Sequence, residues 1–335
     1  MNQTQLLLAL DYGGTKHTAA VLAPGERRWT RRRQVLSPPN PDARYDLDSM
    51  RSLARELLAG AKPAAIGVSF GGPVNAASGI VHLSHHVPGW ENTPLQEILE
   101  TEFSAPASVD NDANVAALGE HHFGAGQGHD SLLYITVSTG VGGGWILNKQ
   151  IWHGAQSMAG EIGHTIVDPD GPLCVCGKRG CLERLASGPF IAQRAGERLK
   201  EQPDRGWILR TLIEASASSA SASEEGLKAV TAQVVSQAAA QGDELAWEAL
   251  EVAAWALGVG IGNAANLVNP QRTILGGGVA KAGERFWEEI RRVARETAAP
   301  EIHLDIVPAA LGDDAPLWGA VALAEDCLPP IQPTD

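Results

Sequence analysis

The chain has 335 residues, of which 44% are hydrophobic, and a formal net charge of −13. That length suits two domains, or two lobes around a ligand cleft, each with a core of its own. The acidic balance argues against a nucleic-acid partner, which needs a basic face. No apolar run is long enough to cross a membrane, so a soluble, cytoplasmic protein is expected.

Leu6–Leu10 is a short apolar run that reads as a buried strand. Asp11-Tyr12-Gly13-Gly14-Thr15-Lys16 reads as a tight turn, and Thr18–Leu22 as the returning strand of a hairpin. The basic run Arg27–Arg33 reads as a solvated loop or strand edge. Ser49–Leu58 has helical spacing, and Ala64–Phe70 reads as a strand that ends in Gly71-Gly72-Pro73. Thr93–Glu102 reads as a helix with proline at its start. Pro106–Val109 is a strand running into Asp110-Asn111-Asp112-Ala113-Asn114, and Val115–Phe123 follows as a helix. Strand, glycine turn and strand then recur in Leu132–Val137, Ser138–Gly144 and Trp145–Leu147, about 125 residues after the first set. The echo suggests two lobes of related design. Ala215–Glu225 is rich in Ser and Ala and reads as a helix connection or loop. Glu244–Val268 is a long helix with small residues for close packing. Thr273–Leu275 is a strand before Gly276-Gly277-Gly278, and Pro316–Asp326 is the last helix. Alternating strands and helices define the class as α/β.

His164, Cys174, Cys176 and Cys181 place four soft or borderline donors within 18 residues. Zinc favours thiolate and imidazole in a tetrahedron, and a Cys₃His set closes the shell, so the site predicts structural rather than catalytic zinc. The fourth cysteine, Cys327, reads as a buried thiol.

Three glycine runs follow strands. In Asp11–Lys16, backbone N–H groups at Gly13 and Gly14, the Thr15 hydroxyl and the Lys16 charge can cradle a phosphate. Asp11 can hold a water of a magnesium ion. Ser138, Thr139, Gly140, Gly142 and Gly143 can act likewise, and Gly276, Gly277 and Gly278 form a third close-approach site. None matches the Walker A or dinucleotide pattern. Asp112, between a strand and a helix, can accept the proton of an attacking hydroxyl while Asn111 orients a sugar. Helix capping is the competing role, open to Asp110, Asp112 and Asn114. Glu161 and Glu183 flank the zinc donors and suit sugar hydroxyls, or else are surface charges.

These residues resemble the ROK family of sugar kinases and related repressors over nearly the whole chain. The similarity lies in Asp11–Lys16, Gly71–Pro73, Pro88-Gly89-Trp90, Asn111–Asn114, Ser138–Gly144, Gly160–His164, Cys174–Glu183, Gly276–Gly278 and Leu311–Ala315. It implies a two-lobed actin-like ATPase (ribonuclease H-like) fold, with residues 1–112 as one lobe, 113–312 as the other, a zinc loop at 164–181, and a helix near 313–330 packing back on the first. It implies ATP, Mg²⁺ and structural Zn²⁺, Asp112 as catalytic base, and sugar contacts from Gly72, Asn111, Asp112, Glu161, His164 and Glu183. It implies homodimers or homotetramers. The expected activity is glucokinase. The alternatives are N-acetylmannosamine, N-acetylglucosamine or fructose kinases, or a sugar-responsive regulator. Regulators carry a helix-turn-helix before the first loop, and here ten residues precede Asp11. Two departures stand out. Ser84-His85-His86-Val87 replaces an Asn-containing stretch before Pro-Gly-Trp, and Lys149 stands where a glycine is usual.

Overall fold

The computed structural model describes residues 5–84, 87–219 and 230–329. In chain order the first elements are β1 (Leu6–Tyr12), β2 (Lys16–Leu22), β3 (Arg31–Leu36), α1 (Ala43–Leu58) and β4 (Pro63–Phe70). The short strands β5 (Val74–Asn75), β6 (Ile80–Val81) and β7 (Thr93–Pro94) follow, then α2 (Leu95–Phe103), β8 (Ala107–Asn111) and α3 (Asp112–Phe123). A second set runs β9 (Leu132–Val137), β10 (Val141–Leu147) and β11 (Gln150–Ile151), then α4 (Leu182–Ala186), α5 (Gly188–Glu201), α6 (Trp207–Ser219), α7 (Ala232–Ala240) and α8 (Glu244–Val268). The chain ends with β12 (Arg272–Gly276), α9 (Glu284–Thr297), β13 (Ile306–Pro308) and α10 (Ala315–Asp326).

The strands form two five-stranded sheets and a small three-stranded one. The first large sheet has the order β3-β2-β1-β4-β8, and the second has the order β11-β10-β9-β12-β13. Ranked by sequence within each sheet, the two orders are the same. The first is antiparallel from β1 through β3 and parallel from β1 through β8. In the second, β10 and β11 pair antiparallel and β12 and β13 parallel. The repeated strand–glycine–strand signature therefore marks a repeated topology. All seven residues of β1 are buried, as a central strand covered on both faces requires, hence its unbroken apolar run.

The chain divides into two compact units. One comprises Met1–Tyr134, Gly144–Gly160 and Ala309–Asp335; the other comprises Ile135–Gly143 and Glu161–Pro308. This differs from a boundary at residue 112. Helix α3 belongs to the first unit because it packs on α10, which also covers β1 and β4. Residues 144–160 join that unit because Gly144 lies against the Ala113 backbone, where a Cβ would come 2.5 Å from the carbonyl oxygen.

Several boundaries also move. Helix α1 begins at Ala43, earlier than the apolar spacing from Ser49 predicts. Asp42 caps it by accepting the Tyr45 N–H, and its first turns carry polar residues. Helix α3 begins at Asp112, not Val115. Thr93 and Pro94 form β7 rather than a helical turn. Strand β10 begins at Val141, so Gly142–Gly144 are strand residues and not a turn. Of Ala215–Glu225, the first part ends α6 and the rest lies outside the described residues, as do His85 and His86. Asn148 and Lys149 turn β10 into β11 with φ of 52° and 66°. Lys149 is held there by its N–H to the Asp130 carbonyl and by an ion pair with the Asp130 carboxylate at 3.2 Å.

Helix α8 has the length and hydropathy of a membrane span, but 72% of its most apolar stretch is buried inside the protein. Glycines on it admit close neighbours: a Cβ at Gly258 would lie 2.5 Å from the Val293 side chain, and one at Gly260 2.9 Å from Leu182. The same constraint is sharper in the first unit. A Cβ on Gly319 in α10 would fall on the Val115 carbonyl of α3, and one on Gly67 in β4 on the Ala320 carbonyl. By contrast, a Cβ on Gly196 in α5 would meet nothing within 4 Å. Gly319→Ala is expected to destabilise the protein by about 2–4 kcal/mol through overpacking against backbone. Gly196→Ala is expected to stabilise it by about 0.5–1 kcal/mol. Urea unfolding midpoints of the two variants check both signs.

Candidate functional site

In the first unit, strand register gathers the predicted residues. Asp11 of β1 stands beside Ser69 of β4, and Ser69 beside Asp110 of β8; one step on, Tyr12, Phe70 and Asn111 form the next row. Both rows lie at the carboxyl ends of parallel strands, where α/β sheets expose their ligand sites. Asp11 is buried and accepts the Ser69 hydroxyl at 2.9 Å. Burial pushes its carboxyl up to about 6, against the lowering effects of the Ser69 bond and the Lys16 charge. Lys16 is the first residue of β2, so only Gly13–Thr15 form the turn.

Asn111 takes the N-cap of α3. Its Oδ1 accepts the Ala113 N–H at 3.0 Å, and its Nδ2 donates to the Gly72 carbonyl at 3.0 Å. Asp112 is the first helical residue. The N-cap position thus falls to Asn111, and Asp112 Oδ1 shares the same Ala113 N–H at 2.8 Å, while Asp110 and Asn114 do not cap the helix. A Cβ built on Gly71 would lie 3.9 Å from Asp112 Oδ2 and 4.0 Å from the Gly14 nitrogen. Asp112, Gly71 and the phosphate-type turn are therefore neighbours. Asp110, nearly inaccessible, accepts Asn111 N–H and Asn114 Nδ2 on one oxygen and meets His153 Nε2 at 2.5 Å on the other. That bond raises the His153 pKa above its ordinary value, with burial opposing. Nothing in the sequence marks His153, because its partner lies 43 residues away.

In the second unit, His164, Cys174, Cys176 and Cys181 bring four ligand atoms within 4.8 Å of one another. Cys176 Sγ lies 3.6 Å from Cys181 Sγ, and His164 Nδ1 4.0 Å from Cys174 Sγ. A tetrahedral zinc with Zn–S near 2.3 Å needs edges of roughly 3.7 Å, so the donor set fits that ion. The sulfurs are too far apart for a disulfide. A backbone hydrogen bond at Lys178 lowers the Cys176 thiol, while burial lifts Cys181 up to about 12. Gly177 and Gly180, with φ of 85° and 66°, let the chain turn between the sulfurs.

Glu161 is exposed, and its carbonyl accepts the His164 N–H at 3.1 Å. Glu183, in the first turn of α4, accepts the Val141 N–H on Oε2 at 3.0 Å. Neither glutamate pairs with a cation among the described residues. Ser138 and Thr139 line a pocket of about 780 Å³, together with Gly278, Lys281 and the amides Gln233 and Gln237 of α7. Gly277, at φ of 84°, lies so close to the Val137 carbonyl that no Cβ fits. The α7 amides are not legible as site residues, since they follow a low-complexity stretch. Gly142 and Gly143 run in β10 beyond the loop.

The ROK family model matches residues 7–327. A glucokinase of Streptomyces coelicolor is 33% identical over 325 residues, covering 96% of this chain and 98% of that protein. A glucokinase of Halalkalibacterium halodurans is 39% identical over 259 residues, 76% and 74% of the two chains. A solved ROK family glucokinase from Streptomyces griseus, in complex with glucose and AMPPNP, has a TM-score of 0.80 and 34% identity, covering 96% of this chain and 99% of that one.

The His153–Asp110 pair sets a pH dependence. Because the folded pKa of His153 is raised, its contribution is fully present below the unfolded value and is lost as pH rises through the folded one. His153→Ala is therefore expected to cost more stability near about pH 6 than near about pH 9, by about 1 kcal/mol or less for a ring one-third exposed. Urea midpoints of wild type and variant at the two pH values check it.

Proposed function

The chain belongs to the ROK family, and from that premise we propose that it is a glucokinase, an ATP-dependent sugar kinase that phosphorylates the 6-hydroxyl of glucose. The carrying observation is the place of Asp112, a carboxylate beside the glycine turn at Gly14. A phosphoryl transfer to a hydroxyl needs an acceptor for one proton next to a phosphate cradle. The glucose and AMPPNP held by the Streptomyces griseus relative support the pair of substrates.

In this reading Asp112 accepts the 6-hydroxyl proton as that oxygen attacks the γ-phosphorus. The bond from the γ-phosphorus to the β–γ bridging oxygen breaks, ADP leaves, and the proton passes to solvent. The transition state asks for positioning and charge neutralisation more than strong basicity. Gly72, Asn111, Glu161, His164 and Glu183 hold the sugar. The second Nδ2 hydrogen of Asn111 is the one its cap and Gly72 bonds leave over. The His164 nitrogen turned away from Cys174 serves the sugar. Gly13–Lys16 and Ser138–Gly140, with Gly142 and Gly143, receive phosphates, and Gly276–Gly278 border the rest of the nucleotide. Asp11 would hold a water of Mg²⁺, which when bound neutralises phosphate charge. His164, Cys174, Cys176 and Cys181 would hold Zn²⁺, whose closed shell fixes the loop.

Asp112→Asn should keep glucose affinity within a fewfold and lower kcat by about 10²–10⁴-fold. Isothermal titration with glucose and a coupled ADP-release assay test this, and an unchanged kcat overturns the assigned base. Cys176→Ser should abolish zinc in elemental analysis and weaken glucose binding by about tenfold or more. Wild-type glucose affinity in a zinc-free variant contradicts the scaffold role.

A further inference from the structure

Glu183 touches more than a sugar contact requires. Its Oε2 accepts the Val141 N–H at 3.0 Å, and a Cβ built on Gly140 would lie 2.7 Å from the same oxygen. Gly140 and Val141 belong to the glycine loop that begins at Ser138. The next helix, α5, meets that loop at its start, since the N–H of its first residue, Gly188, donates to the Ser138 carbonyl at 2.8 Å. Gly163, in the turn between Glu161 and His164, packs so tightly on the Val141 carbonyl that a Cβ there has no room. Helix α4 itself directly follows Cys181, its N-cap and one of the four zinc-type donors. The segments that carry Glu161, His164 and Glu183 therefore meet the end of the glycine loop, α5 meets its start, and the Glu183 side chain bonds to the loop directly.

We propose that Glu183 is a positioning residue for the nucleotide loop and couples hexose binding to nucleotide binding. Among the described residues its Oε1 has no hydrogen-bond partner. Sugar hydroxyls donating to that oxygen fix the carboxylate, and Oε2 in turn fixes Val141 and Gly140. They also spread the carboxylate charge, which otherwise repels a polyphosphate at the neighbouring loop. Both effects have the same sign, so glucose tightens nucleotide binding and nucleotide tightens glucose binding by the same factor. The inference rests on the reading of these residues as sugar and nucleotide contacts.

Gly140→Ala is the diagnostic change. It lies in the nucleotide loop, and the added methyl meets only the Glu183 carboxylate, the mobile end of a side chain. Calorimetry on the full-length, zinc-loaded protein measures glucose binding without nucleotide, and AMPPNP binding with and without saturating glucose. In wild type, glucose is expected to tighten AMPPNP about fivefold or more. In Gly140→Ala, glucose affinity without nucleotide is expected to fall about fivefold or more, with zinc content and melting temperature unchanged. In Glu183→Gln, which loses the charge, the coupling is expected to drop to within about twofold of unity. Wild-type glucose affinity in Gly140→Ala, or undiminished coupling in Glu183→Gln, overturns the proposal. If Gly140→Ala fails to retain zinc, Glu183→Gln decides alone. Wild-type protein that binds both ligands without coupling overturns this inference only. Wild-type protein that binds neither overturns the kinase reading and this inference with it.

Discussion

Two carboxylates buried at strand ends on either side of β4 set the terms for the first unit. A buried carboxylate must find donors or give up its charge. Asp11 finds the Ser69 hydroxyl, and Asp110 finds a backbone N–H, the Asn114 amide and the His153 ring. Parallel register, which sets Asp11, Ser69 and Asp110 in one row, supplies the Ser69 donor to Asp11, while the donors to Asp110 come from the start of α3 and from His153. The next row then carries Asn111, whose cap on α3 places Asp112 at the first helical position. A one-residue slip in either pairing would turn these side chains to the opposite face. Apolar burial along β1 and β4 prevents that slip, so the hydrophobic core is what aims the polar site.

The second unit solves a different problem. The segment from Glu161 to Leu182 has little regular structure, with a single short turn of 3₁₀ helix and isolated bridges Ile166–Cys181 and Leu173–Arg179. It exposes Ile166, Leu173 and Val175. Such a loop buries too little apolar surface to order itself. Four donors that converge on one point offer the missing cross-link, and Cys181 passes the constraint directly into α4. From there Leu182 packs under Gly260 of α8, while Glu183 and Gly188 reach the glycine loop.

The parts legible in the sequence were those in which residue type alone fixes the chemistry. Three cysteines and a histidine at close spacing, glycines after apolar strands, and a carboxylate at a strand–helix junction each carry their meaning locally. The parts not legible depend on what lies opposite. The glycines from 142 to 144 read as a turn, yet they are strand, and Gly144 is glycine because α3 passes over it. Polar first turns concealed the start of α1, because an N-cap at Asp42 leaves no apolar period. His153 and the amides of α7 gain significance only from distant partners. The sequence offered Glu183 as a candidate sugar contact, but its bond to Val141 was not legible, since it links residues 42 apart.

The two sheets repeat one strand order, yet the glycine turns that follow their first strands differ in charge. Strand β1 ends in Asp11 and Tyr12, with Lys16 opening the return strand; β9 ends at Val137, and Ser138 and Thr139 follow. A carboxylate at a phosphate turn is tolerable where a cation stands with it, and Lys16 already lowers the Asp11 carboxyl against its burial. The loop after β9 contains neither carboxylate nor lysine of its own; its negative group is Glu183, brought in from α4 and held by a backbone N–H. An anion imported on a separate helix can respond to a ligand at its free oxygen, whereas Asp11, sealed within a sheet, can respond only to protons and cations. On the proposed reading, the repeated hairpin would leave one turn suited to a metal–phosphate pair and the other to a phosphate whose acceptance depends on the sugar.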